Sequence, residues 1–281
     1  MRSISFTLLG LALASLSVGA VAQTTSQSES TMSFNVGLTS DYRYRAISQS
    51  SFKPALQAGV DYAHKSGLYV GAWVSNVSWI KDYVGATDGS TEIDFYGGYK
   101  AEIAKDVSME FGAITYQYPG NTADKVLANA NTTEVYAALT VGVVTAKYSQ
   151  SSSNFMANPN SKGSRYLELA ATLDLGNGYS LTPHIGRQTI PNQADNAGDY
   201  TDYAVTLAKD FGNGLIASLA FVGTNTKDAF YKVGTFDNLG KLTSASLEDP
   251  ALPVAFKATR TTQDVVMNVA CADVTSENGT K

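Results

Sequence analysis

Hydrophobic and polar residues alternate along most of the chain, in segments of about 8–13 residues with the two-residue period of β-strands. Segment 164–175 is the clearest example. Leu167 and Leu169 fall on one of its faces, and Glu168 and Asp174 fall on the other. This alternation predicts a sheet that has one apolar and one polar surface.

Twelve such segments follow one another, and an even number of strands is typical of single-chain bacterial outer-membrane barrels. The predicted strands are 33–43, 53–64, 68–79, 91–103, 107–117, 132–140, 143–150, 164–175, 179–189, 200–210, 214–224 and 264–272.

The connections between these segments alternate between short and long. The short ones contain Gly, Asn or Asp, which tolerate the positive φ of tight hairpin turns. They lie at 65–67, 104–106, 141–142, 176–178 and 211–213. The long ones lie at 44–52, 80–90, 118–131, 151–163, 190–199 and 225–263.

Short turns at one end and long loops at the other are typical of membrane barrels. The chain is therefore predicted to be all-β, an antiparallel up-and-down transmembrane β-barrel of about 12 strands. Alternation alone also fits a soluble barrel with an apolar interior. Segment length favours the membrane, because a tilted spanning strand needs about 9–11 residues.

The first 22 residues have the three parts of a signal peptide. Arg2 is followed by an apolar stretch at 6–16 and by a small-residue cleavage site that ends at Ala22. Cleavage would leave Gln23 as the first mature residue. We therefore expect export to the outer membrane of a Gram-negative bacterium, with membrane lipid and the barrel assembly machinery as partners.

The domain organisation follows from these assignments. Residues 1–22 are the predicted signal peptide, 23–31 a flexible N-terminal segment, 32–272 the barrel and 273–281 a polar C-terminal tail. The tail is unusual, because barrels of this kind generally end on a strand with a terminal aromatic residue. Strand 264–272 is therefore the least secure of the twelve, and 225–263 is long enough to contain another strand pair.

Composition excludes several other functions. The formal net charge of -5 and the lack of Lys/Arg clusters argue against a nucleic-acid partner. The single cysteine, Cys271, cannot form an internal disulfide or a cysteine-based zinc site. We expect no cofactor and no metal.

Four stretches resemble a known bacterial family. They are FNVGLTSDYRYRAISQS (34–50), PALQAGVDYAHKSGLYVGAW (54–73), SNVSW (75–79) and EIDFYGGYK (92–100), with a weaker similarity in LTPHIGRQ (181–188). In these the chain resembles the TorF family of porin-like proteins, also described as a conserved family of unknown function. The resemblance implies an outer-membrane β-barrel with a channel role, and it implies no catalytic residues.

The charged residues of the strands share the face opposite the apolar one. The predicted lumen acids are Asp41, Asp61, Glu92, Asp94, Glu110, Glu134, Glu168, Asp174, Asp202 and Asp264, and the predicted lumen bases are Arg43, Arg45, Lys100 and Lys147. Facing hydrocarbon instead would cost about 2–4 kcal/mol for each Arg or Lys at the membrane midplane. Arg187 departs from this phase.

These assignments predict a porin-like channel for passive diffusion of small hydrophilic solutes or ions. The excess of acids over bases predicts a preference for cations. The alternative is a non-conducting structural or surface-binding barrel that acts through its external loops, chiefly 225–263. Arg43 and Arg45 suit either a constriction or an ion-pair network that fixes the first strand to its neighbours. The sequence does not predict an oligomeric state.

His184 and the tryptophan pair each allow more than one interpretation. Catalysis would need a general base, and His184 is the one strand residue that suits this role. The favoured interpretation is instead a lumen histidine that is bonded to its neighbours. We therefore expect no enzyme activity. Trp73 and Trp79 fall on one phase of strand 68–79. They suit stacking on a sugar, lumen packing or an interface position, with the last two favoured.

Overall fold

The computed structural model describes residues 30–231, 236–237, 241–242 and 263–272. The predicted signal peptide, residues 23–29 of the N-terminal segment and the tail 273–281 lie outside the described residues.

The described chain is almost entirely β-structure. In chain order the strands are β1 (Ser30–Thr39), β2 (Arg43–Tyr44), β3 (Ile47–Ser48), β4 (Ala55–His64), β5 (Leu68–Asn76), β6 (Thr91–Ala104), β7 (Val107–Gln117), β8 (Thr132–Val141), β9 (Val144–Ser151), β10 (Arg165–Ala171), β11 (Leu173–Gly176), β12 (Tyr179–Thr189), β13 (Tyr200–Asp210), β14 (Leu215–Thr224), β15 (Phe236–Asp237), β16 (Lys241–Leu242) and β17 (Gln263–Ala272). The helices are α1 (Trp79–Asp82), α2 (Asp228–Tyr231) and two 3₁₀ turns at Ala123–Lys125 and Ala194–Asn196.

The long strands pair antiparallel with their sequence neighbours and close into a barrel. β10 and β11 form one wall strand that is interrupted at Thr172; β10 pairs with β9 and β12, and β11 also pairs with β12. β17 lies between β14 and β1, so the last predicted strand closes the ring. Twelve wall strands result, as predicted. β15 and β16 form a separate two-stranded pair within the long loop 225–263, which has the length for such a pair.

Two predicted strands were too long. β1 ends at Thr39 instead of residue 43, and β5 ends at Asn76 instead of residue 79. Beyond Thr39 the chain turns into the barrel, and beyond Asn76 it enters α1, so alternation continued past the end of the wall.

Short turns and long connections are segregated as predicted. At the turn between β11 and β12, Asn177 and Gly178 have φ values of 52° and 76°, which is the left-handed conformation such turns require. We call the end of the barrel with these turns the short-turn end, and the other the long-loop end.

The outer wall is apolar and the interior is polar and aromatic. On β10, Leu167 and Leu169 are 57% and 48% exposed, whereas the side chains between them point inward and are buried. The same alternation runs through most of the other wall strands whose side chains are described. No helix among the described residues is long and apolar enough to span a membrane.

Candidate functional site

The loop after β1 folds into the lumen instead of projecting from the barrel. We call residues 40–54 the plug loop; everything from Asp41 to Ser51 in it is buried. Its tip is a small hairpin in which β2 pairs with β3, and the turn residues Arg45 and Ala46 have φ values of 47° and 67°. Two successive positive φ values are unusual for residues with side chains, so tertiary contacts must hold this turn in place.

Asp41 organises the plug loop from within. Its carboxylate accepts bonds from Arg43 Nε at 2.6 Å, Ser48 Oγ at 2.5 Å and Ser50 Oγ at 3.1 Å. Arg43 also donates to the carbonyl of Ala46 at 3.1 Å. A single buried carboxylate therefore connects both arms of the hairpin.

Arg45 joins the plug loop to the barrel wall. Its guanidinium binds both oxygens of Glu134 on β8, at 2.7 and 3.2 Å, and the side-chain oxygen of Gln188 on β12 at 2.7 Å. The guanidinium carbon lies 4.1 Å from the ring centre of Tyr166 on β10. Burial lowers the pKa of Arg45, but the Glu134 carboxylate and the surrounding tyrosines together outweigh burial and hold that pKa well above its usual value.

Tyrosine hydroxyls add three more links between the plug loop and the wall. Tyr44 donates to Glu134 at 3.2 Å, and Tyr42 donates to Glu92 on β6 at 3.0 Å. From the wall, Tyr200 on β13 donates to the carbonyl of Arg45 at 3.0 Å. The hairpin tip is thus held by wall strands on several sides.

Helix α1 supports the plug loop from the long-loop end. The backbone N–H groups of Ser78 and Trp79 donate to the carbonyl of Gln49 at 2.8 and 3.1 Å. Trp79 therefore does not share a strand face with Trp73, which corrects the prediction. Trp73 stays on β5 and packs edge-on against Tyr42, with ring centres 5.3 Å apart.

A second buried cluster lies beside Arg45, on β10, β12 and β13. His184 Nε2 lies 3.2 Å from Glu168 Oε2, and Tyr166 donates to Asp202 at 3.0 Å. His184 is therefore a bonded lumen histidine, as expected. Among the described residues, no group of three or more His, Cys, Asp or Glu is arranged to hold a metal ion.

The lumen towards the short-turn end has a different character. Tyr96 donates to Asp61 at 2.5 Å, and Tyr69 donates to Glu110 at 2.6 Å and also contacts the Tyr136 hydroxyl. These side chains are only half-buried. We call this group, with the two lysines described next, the lower layer.

The two lysines of the lower layer are weakly compensated. Lys100 lies 3.9 Å from Glu110, and Lys147 stands 4.3 Å from the ring centre of Tyr136. No carboxylate in the described part of the chain lies within 4.0 Å of Lys147, because Glu168, directly across the strand pair, is bound by His184.

The inward phase of most predicted lumen residues agrees with the structure. The residues that point inward from the wall are Asp61, Glu92, Asp94, Lys100, Glu110, Glu134, Lys147, Glu168 and Asp202. Their role as pore-lining groups stays a prediction. Asp264 lies on β17, where side chains are outside the described set.

Four predicted positions need correction. Asp41, Arg43 and Arg45 are inside the barrel, but on the plug loop and not on the first wall strand. Asp174 is exposed near the short-turn end, where its Oδ1 accepts the N–H of Gly176 at 2.8 Å. There β11 has passed the packed part of the lumen, so its alternation no longer separates buried from exposed residues.

Sequence reasoning did not select Tyr42, Tyr44 or Gln188, which bind the charged residues. Tyr42 and Tyr44 alternate with the charges of the plug loop, and on a continuing strand this alternation would place both tyrosines on the apolar outer face. The departing Arg187 does point outward; it pairs with Asp199 at 3.6 Å near the long-loop end.

Above the plug loop, aromatic side chains surround a pocket of about 480 Å³, including open solvent at its mouth. Tyr44 and Ile47 of the plug loop, Trp79, and Phe155 of the connection after β9 contribute to its lining. The pocket is thus shared between the plug loop and the long connections.

The comparisons with solved structures returned β-barrel porins. A KdgM porin in complex with disordered oligogalacturonate is 7% identical, with a TM-score of 0.49 over 86% of this chain and 97% of that chain. The NanC porin is 8% identical, with a TM-score of 0.48 over 86% of this chain and 98% of that one. OprD from Pseudomonas aeruginosa is 13% identical, with a TM-score of 0.38 over 88% of this chain and 66% of that one.

No curated protein matches the chain. A family model does match it, over residues 23–247, and that model is described as "Bacterial protein of unknown function (Gcw_chp)". This match covers well over half of the 281 residues, and the chain therefore belongs to the Gcw_chp family of bacterial proteins.

Proposed function

We propose that the protein is a porin-like outer-membrane barrel of the TorF type for passive diffusion of small hydrophilic solutes or ions, and that the plug loop is its gate. The observation that carries this proposal is the buried hairpin at 43–48, which occupies a polar lumen behind an apolar outer wall. An outer apolar band with a polar interior is the pattern of membrane barrels.

The form of the plug favours a gate over a permanent filling. The hairpin is joined to the chain at both ends, and its tip is fixed to the wall mainly through Arg45, Tyr42 and Tyr44. All these links are hydrogen bonds and ion pairs to side chains, which water can replace if the loop moves out.

The proposed gate also gives a reason for cation preference. When the plug loop leaves, Arg43 and Arg45 leave with it. Glu92, Glu134 and Asp202 remain on the wall, since they belong to β6, β8 and β13. An open lumen would then have an excess of carboxylates, which attract cations.

Conductance in a planar bilayer tests this proposal. The mature protein is compared with Arg45→Ala, and with Lys53→Ala as a control that removes an exposed charge from the same loop. We expect brief, infrequent openings in the wild type and the control, and openings at least tenfold more frequent in Arg45→Ala. A reversal potential measured in a salt gradient should show cation preference.

A folded barrel that stays silent in all three proteins would overturn the channel proposal; folding is checked by heat-modifiable gel mobility. That result would favour the second candidate, a non-conducting barrel that binds a partner at its long-loop end. The aromatic pocket between the plug loop and the long connections is the observation in favour of that alternative.

A further inference from the structure

Glu92 and Asp94 form a pair of buried carboxyls with no positive counter-charge. Both point inward from β6, two residues apart, and they are 1% and 4% exposed. Among the described residues, no Lys, Arg or His nitrogen lies within 4.0 Å of either group, unlike the carboxylates bound by Arg43, Arg45 and His184.

One oxygen of each carboxyl also lacks a hydrogen-bond donor. Glu92 Oε2 and Asp94 Oδ1 are fully buried and accept no bond within the described part of the chain. The two carboxyls are neighbours on the inward face of one strand, and two carboxyls can form a hydrogen bond to each other only if one of them carries a proton. Two neighbouring ionised carboxylates in a dry site would repel strongly.

In the described part of the chain, the titratable side chains that face the pair are tyrosines, and Glu134 lies behind one of them, bonded to the Tyr116 hydroxyl at 3.3 Å. Tyr42 approaches from the plug loop, Tyr116 from β7 and Tyr118 from the segment after β7, while Tyr96 follows on β6 itself. β5 contributes Trp73 and Ser75, which do not titrate. Burial, and then the nearby Glu92 and Asp94, raise the pKa of Tyr42 well above its usual value, so it stays a donor at alkaline pH.

We propose that Glu92 and Asp94 share one proton and that this proton locks the plug loop closed. Tyr42 is the link, because its hydroxyl donates to Glu92 Oε1 and its ring packs against Trp73. Loss of the proton leaves two adjacent buried anions, which are relieved only if water or a cation enters beneath the plug loop. The inference rests on the proposed function only for its output, the opening of a pore.

The direction of the effect follows from proton linkage. The closed state binds one more proton than an open state in which water solvates both carboxylates, so opening releases a proton. The opening equilibrium therefore shifts towards open by up to tenfold per pH unit across the range in which the pair titrates. Low pH favours the closed state.

Replacing Glu92 by Gln mimics the protonated pair at every pH. The Gln oxygen still accepts from Tyr42, and its amide donates to Asp94 as the shared proton would. Asp94→Asn does the same from the other side and serves as the second variant if the first folds poorly. Asp174→Asn, which removes an exposed acid far from the plug loop, is the matched control.

Plug movement is measured by thiol labelling, independently of conductance. Ile47→Cys in a Cys271→Ser background places a thiol at a buried position of the plug loop, 7% exposed, without removing one of the loop's hydrogen bonds. Its labelling rate with a water-soluble maleimide is divided by the rate measured for an exposed Leu127→Cys thiol. This ratio corrects for the pH dependence of the thiol–maleimide reaction itself. We expect this ratio to rise several-fold with pH, equally in Asp174→Asn, and to stay flat and low in Glu92→Gln and Asp94→Asn.

A ratio that is independent of pH, or that rises equally in Glu92→Gln, overturns the proton lock. The two proposals fail separately. Labelling as expected in a barrel that never conducts retains the lock and removes the channel. A conducting barrel whose labelling ratio ignores pH retains the channel and removes the lock.

Discussion

The two halves of the lumen have the same wall but different contents. Towards the long-loop end, the plug loop, α1 and the inward wall residues bury one another, and most charges there meet a partner, such as Arg45 with Glu134. Towards the short-turn end, the lower layer is half-buried, and Lys147 has no carboxylate partner among the described residues. The comparison teaches that a loop folded inward, and not the strand pattern, decides where the barrel is closed.

The largest expected difference between the halves concerns a single carboxylate in each. Glu134→Ala leaves the Arg45 guanidinium buried without its ion pair, and breaking such a buried pair costs about 3–5 kcal/mol. Glu110→Ala removes a bond from Tyr69 and a distant Lys100 in a half-hydrated site, which costs about 1 kcal/mol. Urea unfolding of the refolded barrel measures both losses.

The cost in Glu134→Ala has a limit. The plug loop can leave the lumen, which exposes Arg45 to water. Part of the loss would then appear as exposure of the Ile47→Cys thiol in place of barrel unfolding. Equal stability losses in the two variants, with no change in labelling, would contradict the division of the lumen into a tightly packed half and a loosely packed one.

Strand spacing and the inward phase could be predicted from the sequence because they depend on local alternation. The predicted strand 264–272 and the inward positions of Glu92, Asp94 and Glu134 follow from that period. The plug loop could not be predicted in the same way. Its residues 41–45 alternate like a continuing strand, while the turn at Arg45 and Ala46 depends on partners contributed by β8, β12 and β13.

Substitution of glycines that lie against inward tyrosines should give an intermediate difference in stability between the two halves of the lumen. A Cβ on Gly186 would lie 2.0 Å from the Tyr166 hydroxyl, and a Cβ on Gly71 would lie 2.4 Å from the Tyr96 ring. Tyr166 is buried between Asp202 and Arg45, whereas Tyr96 is half-buried and can move.

We therefore expect Gly186→Ala to cost about 1–3 kcal/mol, as overpacking does in a dense core, and Gly71→Ala clearly less. Urea unfolding again provides the measurement. Gly186→Ala should also increase labelling of the plug loop thiol, because Tyr166 would lose its position over the Arg45 guanidinium. A larger loss in Gly71→Ala would mean that the lower layer is the more rigid of the two.

The smallest expected effect concerns the charge of the lower layer. Lys147 faces the lumen from β9, and among the described residues its ammonium has the Tyr136 ring as a neighbour and no carboxylate within 4.0 Å. Lys147→Gln removes a positive charge from the path of a permeating ion without breaking an ion pair, so the barrel should fold with unchanged stability.

In an Arg45→Ala background, where openings are frequent, the reversal potential of Lys147→Gln in a salt gradient should move by a few millivolts towards that of an ideal cation channel. Asp174→Asn changes the net charge by the same amount in the opposite direction but lies outside the packed lumen, so its reversal potential should match that of the parent. If the two substitutions shift the potential by equal amounts in opposite directions, the selectivity comes from the overall charge of the protein; if only Lys147→Gln shifts it, the ions pass through the lower layer.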